Sequence, residues 1–225
     1  MHPLDRPAWA SLVSFHQPLS LGAAQARRYA RDVNVFAATG AESEDALAAL
    51  AALVASGEQV YVLQAPPIRV PPELVALRQA LCVQMLAANP VADAADTTDM
   101  VPLGAADAAE MLALAELTEP GPFRLGTWRM GQFFGIRIGG RLAAMAGERF
   151  HCPGFAEVSG VCTHPDFRGR GLASRLSRHV AARIAARGET AFLHAWQDHA
   201  DAIHLYQRLG FAWRCDVNVA VLARR

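Results

Sequence analysis

The sequence predicts an α+β (mixed α/β) fold: a mostly antiparallel central sheet flanked by helices and preceded by a smaller α/β N-terminal region. Three observations carry this. Hydrophobic residues make up 52% of the 225 positions and charged ones 19%, enough apolar mass for a sizeable core. "GQFFGIRIGGRLAAMAGERF" (131–150) reads as two strands folding back at Gly139-Gly140. Around that hairpin, strand-like and helix-like segments are interleaved, the pattern of a mixed sheet with inserted helices.

In chain order, "EDALAALAALVA" (44–55) predicts a helix and "EQVYVLQA" (58–65) a strand. The proline-rich "PPIRVPP" (66–72) is a loop, and "ELVALRQAL" (73–81) is expected to be helical. "NPVADAADTTD" (89–99) is small, polar and rich in turn formers, so a boundary is expected there, with an N-terminal region over 1–95 and a main domain over 98–225. "MVPL" is a short strand, and "AADAAEMLALAELT" (105–118) a helix broken by "EPGPF". After the hairpin come a strand at 155–163, a helix at 169–187, a strand at 190–196, a helix at 200–209 and a last strand at 217–223.

Composition narrows the functional classes. Lysine plus arginine and aspartate plus glutamate are 21 each, so nucleic-acid binding has no electrostatic support. The longest apolar run, 46–57, is too short to cross a bilayer, and no secretory signal is visible. Cys82, Cys152, Cys162 and Cys215 lie far apart without C-x-x-C spacing, which argues against a metal site and a disulfide framework. A reducing cytoplasm is the expected setting.

The densest chemistry is "THPDFRGRGLASRL" (163–176), between a predicted strand and a predicted helix. Leu172, Leu176, Val180 and Ile184 share one helical face. The first-turn N–H groups of such a helix lack internal partners and point into the preceding turn. Gly169 and Gly171 present no side chain to an incoming anion, the helix dipole favours negative charge, and Arg168 and Arg170 add charge-assisted donors. A pyrophosphate suits this arrangement. A tight turn with solvated arginines satisfies the same letters. So in part does the dinucleotide fingerprint G-x-G-x-x-G, although Ser174 stands at its third glycine.

The wider context resembles the GNAT superfamily of N-acetyltransferases. Arg168, Gly171 and Ala173 meet its Q/R-x-x-G-x-G/A acyl-CoA pattern. Ala202, Tyr206, Gly210 and Phe211 of "HADAIHLYQRLGF" meet N-x-x-A-x-x-x-Y-x-x-x-G-F, with His199 where the asparagine belongs. The resemblance covers about residues 98–225, and "EVSGVCTHPDFRGRG" is similar to the glycine N-acyltransferase-like branch. It implies a GNAT fold with splayed strands and acetyl-CoA or another acyl-CoA as co-substrate. The backbones of Val161, Cys162 and Thr163 would hold the pantetheine arm. Arg168, Gly169, Arg170, Gly171, Leu172, Ala173 and Ser174 would hold the pyrophosphate, with His199 assisting.

Acyl transfer to an amine requires removal of a proton from the ammonium and supply of one to the departing thiolate. Glu157 is the candidate base: it lies eleven residues before Arg168, the offset of the glutamate in histone-type members of the superfamily. Its apolar neighbours predict a raised pKa. His194 is the rival base. Tyr206 is the candidate acid, on a helix that Asp198 is expected to cap. Cys162, in an apolar strand, is left out of the chemistry. The acceptor, a small-molecule or peptide amine, is expected over the loop 119–130, with Phe123, Trp128 and Met130 as an apolar wall. A non-catalytic acyl-CoA-binding sensor is the alternative reading.

Overall fold

The computed structural model describes residues 2–89, 92, 93 and 96–225, so part of the expected boundary segment lies outside the described residues. Helix α1 (Pro7–Leu12) starts on a proline, whose missing N–H costs nothing in a first turn. Strands β1 (Ser20–Gly22), β2 (Ala26–Tyr29) and β3 (Ala37–Thr39) form a small antiparallel sheet. Helix α2 (Glu44–Ala52) is capped by Ser43, whose Oγ accepts from the Ala46 amide at 3.3 Å. Then follow β4 (Gln59–Gln64), β5 (Leu74–Ala87), β6 (Met100–Leu103), α3 (Ala108–Thr118), β7 (Phe133–Ile138), β8 (Arg141–Cys152) and β9 (Phe155–Thr163). Helix α4 (Leu172–Ala186), β10 (Thr190–Trp196), α5 (Ala200–Arg208) and β11 (Phe211–Arg224) complete the chain.

Strands β4 to β11 build one eight-stranded sheet in the order β4-β11-β5-β10-β9-β8-β7-β6. Every neighbouring pair is antiparallel except β9 with β10. The predicted fold class is therefore the observed one. β4 and β5, both N-terminal to the expected boundary, lie in the same sheet as the strands after it.

The predicted helix at 73–81 is instead the first half of β5. Its leucines recur at near-helical intervals, but they do not share a buried face: Leu74 is buried whereas Leu77 and Leu81 are exposed. Pairing with β11 along its length and with β10 at its end outweighs local helix preference.

Two local features position the site. The β9–β10 pairing covers only Phe155, Ala156 and Glu157, after which β10 turns to β5 and the two strands part. Within β9 the register to β8 slips between Ser159 and Cys162, where Gly160 adopts φ +61°. Such a bulge inserts a residue and reverses which side chains face which way. Before it, Ala156 and Val158 join the apolar cluster under α4; after it, Cys162 packs against Met111 and Leu114 of α3. Helix α4 seals the opposite face with Leu172, Leu176, Val180 and Ile184, all buried. Each such side chain contributes roughly 1.5–3 kcal/mol of burial. The expected capping of α5 by Asp198 is absent. His199 is the N-cap, which leaves Asp198 one residue too early to reach the first-turn amides.

Candidate active site

The turn after β9 forms a groove of about 400 Å³. Its wall runs from Val161 to Thr163 and from Phe167 to Ser174, so the residues expected to hold the arm and the pyrophosphate are brought together. Gly169 (φ +77°) and Gly171 (φ +72°) lie in the left-handed region, and a Cβ at either would meet nothing within 4 Å. The backbone is thus open on the side an anion approaches. Gly171 is the N-cap of α4, and no side chain occupies its first-turn amides. Arg170 rests on the Phe167 ring at 5.4 Å. Arg175 is turned away and engaged with Asp99 at 2.6 and 3.0 Å. Thr163 Oγ1 is buried without a hydrogen-bond partner beside the groove. These residues fit a phosphorylated, amide-bearing ligand such as acyl-CoA: open donors at one end, an unsatisfied hydroxyl along the way.

Thr118 and Val161 also border a second, inner cavity of about 250 Å³. It occupies the opening where β9 and β10 part, with Ser159 and Gly160 on one side and Tyr206 on another. Phe36, Tyr61 and Cys82 close it from the N-terminal segment. Beyond lies an outer cavity of about 870 Å³, joined to the inner one along Tyr61, Glu119, Trp196 and His199. His199 therefore lines the inner and outer cavities and is not brought to the phosphate groove. Phe123 borders the outer cavity, but Met130 is buried in the apolar core and Trp128 packs beside Phe133 and Met145. Only the first of the three expected acceptor-wall residues meets a cavity, because a short 3₁₀ turn at Thr127–Met130 tucks the other two inward.

Glu157 lies behind this cavity, not on its wall. It is fully buried, and both oxygens are taken. Arg149 donates from Nη2 to Oε1 at 2.6 Å and from Nε to Oε2 at 2.8 Å, and His194 Nδ1 meets Oε1 at 2.6 Å. The raised pKa expected for Glu157 is not found. Burial pushes the carboxyl up, but the Arg149 charge, His194 and their hydrogen bonds outweigh it and hold the group at about 2. His194 lines the cavity, and its Nε2 receives a hydrogen bond from Gln84 Nε2 at 2.9 Å. That leaves Nδ1 as the donor toward Glu157, the tautomer of a neutral imidazole. Burial pushes its pKa down despite the neighbouring carboxylate. The network continues outward: Arg214 donates to Gln84 Oε1 at 2.8 Å and to Asp5 at 2.6 Å.

Arg149 is held between the Phe36 and Phe150 rings, 4.9 and 4.7 Å from its guanidinium carbon. Its Nη1 makes no hydrogen bond to any described residue, and the side chain borders the inner cavity. Tyr206 presents a phenol that burial raises to about 12, with the Glu157 charge adding to the effect. It is protonated at neutral pH. Cys162 is a buried thiol pushed to about 12, which suits its packing role. Sequence reasoning missed Arg149, Gln84 and the aromatic wall. The one available signal is the placement of Arg149 eight residues before a glutamate in the next strand.

The comparisons settle the lineage. Residues 133–220 match the family model described as FR47-like protein. A GNAT-family member from Novosphingobium aromaticivorans is 45% identical over the whole of both chains, with a TM-score of 0.93. The chain belongs to the GNAT family of acetyltransferases. A GCN5-related N-acetyltransferase from Kribbella flavida, 17% identical, covers all of this chain and 96% of its own at a TM-score of 0.65. A GCN5-related N-acetyltransferase-like protein from Streptococcus suis, 14% identical, covers 92% of this chain and 82% of its own at 0.55. At those identities the likeness is one of fold. None of the curated proteins compared with it is similar in sequence. In this GNAT acetyltransferase, then, an anion groove and an enclosed cavity adjoin at Thr118 and Val161.

Proposed function

We propose that the protein transfers an acetyl group from acetyl-CoA to a primary amine, directly and within a ternary complex. The observation that carries this reading is the continuity of the Val161–Ser174 groove with the inner cavity at the parting of β9 and β10. Acetyl-CoA, when bound, supplies the thioester. On the protein's side, the backbones of Val161, Cys162 and Thr163 hold the pantetheine arm, and Arg168 to Ser174 hold the pyrophosphate. Tyr206, protonated at neutral pH, donates to the departing sulfur. A carboxylate held at about 2 is too weak a base to act alone. We therefore assign proton removal to His194 and Glu157 as a unit: the imidazole borders the cavity and takes the proton on Nε2 once Gln84 releases that nitrogen, while the carboxylate holds Nδ1–H and stabilises the imidazolium that forms. The N-terminal segment 1–95 supplies the acceptor-side wall. The wording of 157–171 supports a place near the glycine N-acyltransferase-like branch. The cytoplasm is the setting that four free cysteines suit.

The test measures free thiol released from acetyl-CoA across a panel of primary amines, beside thermal shifts with acetyl-CoA, CoA and NAD. The reading expects stabilisation by the first two and turnover with at least one amine. A shift with NAD alone would sink the cofactor assignment. Acetyl-CoA binding without thiol release for any amine would favour a sensor.

A further inference from the structure

Glu119 is set apart by its backbone, its place and its lack of partners. It ends α3 at φ 49° and ψ 52°, the left-handed conformation that a helix end normally gives to glycine or asparagine. Among the described residues it is the only non-glycine with positive φ. Pro120 and Pro122 follow it and restrict the chain on its C-terminal side, so this placement is rigid. It borders both cavities, at the throat where the outer one narrows into the inner one. Among the described residues it is also the only acidic one on the inner wall, since Glu157 lies behind Arg149. Its carboxylate makes no hydrogen bond or ion pair with a described residue.

A strained, unpaired carboxylate at a throat calls for a ligand. The carboxylate itself sets the sign, because the outer wall is mixed: it carries Arg28 and Arg31, both paired with Glu58, as well as Arg78 and Arg124. Tyr61 borders the same throat and Tyr206 lines the space within, and these are the rings left for an incoming cation, since Trp196 already carries Arg78 at 5.2 Å and Phe36 carries Arg149 at 4.9 Å. Arg149 offers it no net repulsion, being neutralised by Glu157. Building on the acyl-transfer reading, we propose that Glu119 receives the acceptor in its ammonium form and thereby selects cationic amines, the acceptor's polar body lying in the outer cavity. The ammonium then passes inward, where His194 and Glu157 take its proton and the freed amine faces Ser159 and Gly160.

The experiment uses the full chain with butylamine, ethanolamine and a free-amino alanine tripeptide as acceptor probes, and follows thiol release from acetyl-CoA. Glu119→Gln is expected to raise the acceptor KM about fivefold, the share of a charge-assisted hydrogen bond left at an exposed site, with kcat and the acetyl-CoA KM little changed. Glu119→Asp keeps the charge and should recover most of the loss. Glu119→Gly should match Gln in KM yet melt at a higher temperature than wild type, because glycine relieves the left-handed strain. An unchanged acceptor KM in Glu119→Gln, or equal impairment in Asp and Gln, would overturn the proposal while leaving acyl transfer intact. Wild type that releases no thiol with any of the three probes would overturn both.

Discussion

The phosphate groove and the buried cluster behind the inner cavity solve opposite problems with opposite materials. The groove draws its donors from consecutive residues of one turn, mostly backbone amides, and stays open to solvent. The cluster draws Asp5, Gln84, Arg149, Glu157, His194 and Arg214 from six elements of the chain and closes Gln84, Glu157 and His194 off from water. A groove made of backbone is tuned for a ligand, and its residues carry little of the fold. A cluster made of paired side chains must satisfy itself first, and its residues hold fold and site together. Substitutions should therefore separate binding from stability in the groove and fail to do so in the cluster.

The largest effect is expected from Arg149→Met. It strands the Glu157 carboxylate in the interior, and unfolding in urea should show a loss of about 3–5 kcal/mol. The double change Arg149→Met with Glu157→Leu should recover most of it, since an apolar pair has no charge to bury. Loss without recovery would mean the cluster's worth lies elsewhere than in its charges.

The same cluster predicts a pH profile. Its carboxyl is held at about 2 against an ordinary 4.5, so the folded state keeps it ionised where the unfolded chain takes a proton. That stability is present above about 4.5 and is lost as pH falls toward about 2. His194, lowered below its ordinary 6.5, adds an earlier decline. Below about 6.5 the unfolded chain binds a proton that the folded imidazole refuses. Urea midpoints should fall from about pH 6.5 downward, and a flat profile from 7 to 4 would contradict the neutral assignment of His194.

In the groove, Gly171→Asp should weaken CoA binding by two orders of magnitude or more, read by calorimetry. It sets a carboxylate against the phosphates and strains a φ of +72°. Melting temperature should fall only by what a non-glycine residue at a left-handed φ costs, about 1–2 kcal/mol of stability. Tyr206→Phe is expected to lower kcat about 10²-fold with CoA affinity unchanged, since the hydroxyl has no partner among described residues to lose. Arg168→Ala comes last, at about tenfold or less in CoA affinity, because the backbone donors remain. If Arg168→Ala exceeded Gly171→Asp, the groove would be a side-chain site after all.

The difference between the regions also explains what could be read from the letters. The glycines, the arginines and the apolar face of α4 sit within a few turns of one another, so local periodicity and turn chemistry reveal them. The strand-parting at Glu157, the bulge at Gly160 and the throat at Glu119 depend on how distant strands pair. Glu157 stands out in the sequence by its apolar neighbours, but the sign of its pKa shift depends on Arg149, which nothing local links to it. β5 was misread because its leucine spacing imitates a helix, while the sheet partners that make it a strand lie more than a hundred residues away.

That strand has a consequence of its own. β5 lies between β10 and β11, and both its ends are sealed by β11: Leu74 pairs with Arg224, and Ala87 with Phe211. During synthesis, the middle of the sheet remains open until β11 leaves the ribosome. The nascent chain must carry an exposed strand edge through most of its translation, a period of aggregation risk that helper proteins commonly cover. The reward comes afterwards. A strand paired with β11 along its length and also with β10 over Cys82–Leu86 cannot peel away alone at that end, so opening there should require loss of both neighbours, and resistance to proteases should be set by the rate of opening.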